Sequence, residues 1–70
     1  MTMFLVADAD GSLWLFSNYP HRFQDEWVNE NVGDHVINID EDFLSYFGIE
    51  PPSFQSDPII VSFTLKALNQ

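Results

Sequence analysis

Two apolar runs, Phe4–Ala7 and Leu13–Phe16, flank a short polar segment that contains Asp10 and Gly11. An Asp-Gly pair between apolar runs is a strong hairpin signal. A three-residue loop fits this spacing and places Gly11 in the left-handed conformation, which glycine adopts without steric cost. The pattern therefore predicts two antiparallel strands, over 3–8 and 12–17.

The predicted hairpin is apolar on both faces. Successive side chains of a strand point to opposite faces. A hairpin with one solvent-exposed face would therefore alternate apolar with polar residues. Each face must therefore be covered by something else. The aromatic face holds Phe4, Val6, Trp14 and Phe16, and the aliphatic face holds Leu5, Ala7, Leu13 and Leu15.

Three further elements follow later in the chain. β-branched residues predict strands over 35–39 and 59–65. Asp40 is typical of a helix N-cap and predicts a short helix over 41–47. The segment 22–28 fits either a short strand or an irregular helical turn. Together these elements predict a single α+β domain over 1–70, a mostly antiparallel sheet of about four strands with one short helix on one face.

Charge limits the partners of this domain. The chain has eleven acidic residues and only two basic ones, Arg22 and Lys66, which gives a formal net charge of −9. Phosphate backbones and anionic membranes repel such a chain, so we predict no direct nucleic-acid or membrane binding. The start of the chain lacks the basic segment and long apolar run of a secretory signal, so we expect a cytoplasmic protein.

The sequence contains few candidate catalytic or metal-binding residues. The Asp8–Gly11 segment resembles part of a calcium loop, but Val6 and Ser17 occupy ligand positions of the full motif. His21 and His35 lack ligand-like spacing, and the acids 40–42 are explained by helix capping. We predict no catalytic residue, no metal and no cofactor, and hence a protein that is not an enzyme.

Aromatic residues suggest an interface. We predict a non-enzymatic protein–protein interaction module that binds a second copy or another protein through an apolar sheet face. The expected arrangement has the helix on the aliphatic face and a partner on the aromatic face. In the alternative, the loop with Phe23 and Trp27, or Phe54, folds back and closes a monomer. The predicted interface residues are Phe4, Val6, Trp14, Phe16, Tyr19, Phe23 and Trp27.

Two other functions remain open. An acidic decoy that mimics nucleic acid would line one face with Asp25, Glu26, Glu30 and Asp34 and bind a basic protein. A minimal metal-dependent enzyme would place a histidine beside carboxylates.

The run 13–22 followed by Trp27 resembles short uncharacterised proteins of bacterial phages and mobile elements. Those proteins have an apolar strand, a turn ending in Pro, a basic residue and then a Trp. The resemblance continues through a strand at His35–Ile39, an acidic segment at Asp40–Gly48 and a strand at Pro58–Leu65. It implies a bacterial or phage origin and carries no function.

Overall fold

The computed structural model describes residues 1–29 and 33–63 of the chain. Their strands and helix follow one another in the order β1 (Thr2–Ala7), β2 (Leu13–Phe16), β3 (His21–Phe23), β4 (Glu26–Val28), β5 (Val36–Ile39), α1 (Glu41–Tyr46) and β6 (Ile59–Ser62).

Four of the strands form the main sheet, in the order β5-β2-β1-β6 with every pair antiparallel. The predicted α+β class, the four predicted strands and the one short helix are confirmed. The first strand has the predicted length but lies one residue earlier, and the other predicted elements are slightly shorter than predicted. Residues 64 and 65 of the last predicted strand lie outside the described residues.

The first hairpin has the predicted register. Val6 lies opposite Trp14, and Phe4 lies opposite Phe16. Gly11 has a φ of +91° in the turn, and the Asp8 carbonyl accepts a hydrogen bond from the Gly11 N–H at 2.9 Å. The two faces therefore carry the side chains that the sequence assigned to them.

The helix α1 covers the aliphatic face. Asp40 caps it, since its Oδ1 accepts a hydrogen bond from the Phe43 N–H at 2.9 Å. Leu44 is buried against Leu5 and Leu15 in the larger core cluster. Gly48 ends the helix with a φ of +70°, as its position after the apolar residues predicts.

The segment 22–28, together with His21, forms a second hairpin, in which β3 pairs with β4 in a separate two-stranded sheet. The sequence suggested one short strand or a helical turn here. Its turn uses Gln24 at a φ of +55° where a hairpin commonly has Gly or Asn, so the usual turn signal is missing.

Candidate functional site

The aromatic face of the main sheet is covered from within the same chain. Trp27 of the second hairpin is buried against Val6 and Phe16, and Phe54 packs beside them. The Trp27 indole N–H donates to the Ala7 carbonyl at 3.0 Å. The arrangement is thus the alternative in which Trp27 and Phe54 fold back over this face.

Arg22 joins the two segments that cover this face. Its guanidinium lies 4.4 Å from the centre of the Trp27 ring and 5.7 Å from that of Phe54. Its Nε donates to the Phe54 carbonyl at 3.1 Å, and its Nη2 donates to the Ser56 carbonyl at 2.9 Å. Arg22 therefore ties residues 54–56 to the second hairpin.

The seven residues predicted as an interface lie at different depths. Val6, Phe16 and Trp27 are buried within the chain, and Phe4 and Trp14 are half-buried. Tyr19 and Phe23 are exposed by 56% and 59%. Their contact with a partner stays a prediction, and only the last two present most of their rings to solvent.

Trp14 differs from Trp27 in one respect. Its indole nitrogen is buried, and none of the described residues accepts a hydrogen bond from it. A buried N–H without an acceptor is unfavourable. The indole of Trp14 therefore contributes packing, whereas that of Trp27 contributes packing and a hydrogen bond.

A contiguous apolar surface lies on the other side of the sheet, between the helix and β6. Phe47 and Phe63 have ring centres 6.4 Å apart, and Tyr46 contacts Phe47 at 5.1 Å. Ile59, opposite Leu5, extends this surface along the edge strand β6, whereas Ile60, opposite Phe4, projects from the aromatic face. We call it the α1–β6 patch, and its members are Tyr46, Phe47, Ile59 and Phe63.

A groove of about 540 Å³ runs along this patch. None of the described residues that line it is ionisable, although the chain as a whole has a net charge of −9. This patch was not predicted from the sequence. The available signal was the adjacent pair Tyr46-Phe47, because neighbouring residues of a helix do not both face the same core.

A smaller apolar cavity lies on the same face of the sheet, beside β5. Its volume is about 250 Å³. That is below the roughly 300 Å³ at which small-molecule sites begin, and it suits a single apolar side chain. Its lining residues are Met1, Met3, Leu15, Ile37, Ile39, Phe43 and Phe63.

Acidic residues meet where the turns of the two hairpins approach each other. The Ala9 N–H donates to the Asp25 carbonyl at 2.9 Å, and a cleft there is lined by Asp8, Asp10, Asp25 and Glu26. The backbone N–H of Ser12, with a further contribution from its side chain, holds the pKa of Asp10 below its ordinary value of 3.8.

The acids expected of a decoy are only partly brought together. Asp25 and Glu26 share the cleft. Asp34 lies beyond the other end of β2, where it accepts a hydrogen bond from the Asn18 amide. Glu30 lies outside the described residues. Among residues 1–29 and 33–63, the histidines and carboxylates form no group of three that could hold a metal ion.

Comparisons with known proteins found no matching family model, no matching curated protein and no matching solved structure. In the described part of the chain, no helix has the length and apolar character needed to cross a membrane.

Proposed function

We propose that this protein is a non-enzymatic interaction module that self-associates through the α1–β6 patch. The observation that carries the proposal is the exposure of this patch: Tyr46 is 85% exposed, Phe47 51% and Ile59 36%. Apolar patches of this kind mark protein–protein contact sites.

The balance of buried and exposed side chains supports a second copy as the occupant. Among the described residues, nine hydrophobic side chains are buried and ten large ones are exposed. A chain that exposes as many hydrophobic side chains as it buries resembles half of a larger core. Obligate homodimer interfaces have this character.

Charge favours this patch over the rest of the surface. Two copies with a net charge of −9 repel each other, so they approach best where carboxylates are absent. Within residues 1–29 and 33–63, no ionisable residue lines the groove of the α1–β6 patch.

The backbone of β6 also suits pairing between copies. Met1 and Phe63 exchange backbone hydrogen bonds at 3.0 and 2.8 Å. In an antiparallel pair every second residue bonds to the neighbouring strand, so the N–H and C=O groups of Ile60 and Ser62 point away from β1. An exposed edge strand with apolar side chains is a template for pairing with another strand.

Sedimentation velocity at tens of micromolar tests the proposal. We expect the wild-type protein to sediment as a dimer and Phe47→Lys to weaken the dimer by about tenfold or more. Lysine is chosen because it reduces the net negative charge, so a weaker dimer reflects lost apolar contact and not added repulsion.

The matched variant is Phe23→Lys, at a similarly exposed ring on the surface predicted from the sequence. We expect it to remain dimeric. A wild-type protein that sediments as a monomer would contradict self-association. A dimer that is dissociated by Phe23→Lys alone would indicate an interface on the aromatic side.

A further inference from the structure

The opposite edge of the main sheet, β5, has unused backbone groups of its own. The Ser17 N–H donates to the His35 carbonyl at 2.9 Å, and the β2–β5 register continues from this pair. In an antiparallel pair every second residue bonds to the neighbouring strand, so the N–H and C=O groups of Val36 and Asn38 point away from β2. Among the described residues, no strand pairs with this side of β5.

The apolar cavity beside β5 lies where a further strand would place its side chains. Ile37 and Ile39 of β5 line the cavity, and Ile37 is 47% exposed. Strands in a sheet are about 4.8 Å apart, and side chains at alternate positions share a face. An extended segment beside β5 would therefore direct alternate side chains towards the cavity.

Carboxylates lie at both ends of β5. Asp34 precedes the strand, and Asp40, Glu41 and Asp42 follow it. Asp40 caps α1, whereas Glu41 and Asp42 are exposed. Arg22 is the only lysine or arginine in the described part of the chain, and its guanidinium contacts the carbonyls of Phe54 and Ser56.

This charge distribution decides which occupant suits β5. A second copy placed edge to edge would bring the carboxylates of both chains together. A segment with Lys or Arg at its two ends would instead face opposite charge, which steers association and suppresses wrong partners. The β5 edge thus differs from the α1–β6 patch, whose described members carry no charge.

We infer that the outer edge of β5 binds an extended segment of a partner protein, in which alternate apolar residues are flanked by Lys or Arg. Backbone hydrogen bonds from Val36 and Asn38 provide the pairing, and the cavity takes one apolar side chain. This mode of recognition is strand addition to an open sheet edge. It uses a different edge from the proposed dimer and does not depend on that dimer.

Calorimetric titration with the peptide KKTITLTKK tests the inference, with the charge-reversed peptide EETITLTEE as its control. We expect saturable binding of the basic peptide and at least about tenfold weaker binding of the acidic one, because several charges change sign. Absence of binding by KKTITLTKK, or equal binding of both peptides, would overturn the inference.

Val36 offers a matched pair of variants. Val36→Pro removes an N–H that points away from β2, and proline is tolerated at such positions of edge strands. We expect it to weaken peptide binding by about tenfold, whereas Val36→Ala, which keeps the N–H, changes affinity by less than about threefold.

Amide hydrogen exchange on the wild-type protein gives a second readout that requires no variant. We expect the peptide to protect the Val36 and Asn38 amides. Equal affinity of Val36→Pro and wild type, or peptide binding without protection of these amides, would place the peptide elsewhere.

Discussion

The guanidinium of Arg22 lies 4.4 Å from the centre of the Trp27 ring, and it donates hydrogen bonds to two carbonyls on a segment about thirty residues later. This relationship closes the aromatic face within one chain. The aromatic face is thus covered within the chain, whereas the α1–β6 patch on the other face remains exposed.

Loss of this contact is expected to open the aromatic face. Arg22→Ala should lower the free energy of unfolding by about 1–2 kcal/mol, because a cation–π contact and two hydrogen bonds are removed. Arg22→Lys should recover only part of this loss, since an ammonium group lacks the planar fork that reaches both carbonyls. Urea denaturation measures both variants, and full recovery by lysine would contradict the role of the fork.

The two tryptophans provide a second comparison. Trp27→Phe should cost about 1–3 kcal/mol, because the Ala7 carbonyl loses its indole donor and ring volume is removed from the core. Trp14→Phe should cost less than about 1 kcal/mol, because it also removes a buried N–H that has no acceptor among the described residues. Denaturation of the two variants under the same conditions checks the order, and a larger loss for Trp14→Phe would refute it.

Asp10 should titrate below 3.8 in the folded protein, since the Ser12 backbone and side chain favour its charged form. A lowered pKa in the folded state contributes stability at pH values above the ordinary value of 3.8. That contribution is lost as the pH falls through the folded pKa. NMR titration of the Asp10 carboxyl measures the shift. Ser12→Ala should reverse only part of it, because the backbone N–H remains, and a midpoint at or above 3.8 in the wild type would contradict the hydrogen bond.

Much of the fold was predictable because local signals agreed with the final structure. The turn at Gly11 fixed the register of the first hairpin, and Asp40 marked the start of α1. The β3–β4 hairpin was not predictable as such, since its turn at Gln24 has a left-handed conformation without the residues that usually signal one.

The surface was harder to predict than the core. The sequence identified two apolar faces and left open what covers the aromatic one. The answer depends on Phe54, which reaches Trp27 from the long connection before β6 at a ring distance of 6.3 Å. Such contacts between distant segments leave no periodic signal in the sequence.

Salt should affect the two proposed interactions in opposite directions. Added sodium chloride screens the repulsion between two copies with a charge of −9, so the dimer should become tighter. The same salt should weaken KKTITLTKK binding at β5, because it screens attraction between opposite charges. Sedimentation and calorimetry over a range of salt concentrations measure both effects. A dimer that weakens with salt would indicate an interface held by charge.

NMR amide spectra recorded over a dilution series test the central claim most directly. We expect dilution to shift the amides of Phe47 and of residues 59–63, at the α1–β6 patch, while those of Val6, Trp14 and Trp27 stay in place. Shifts concentrated at Val6, Trp14 and Trp27, or spectra that do not change with concentration, would contradict self-association through the α1–β6 patch.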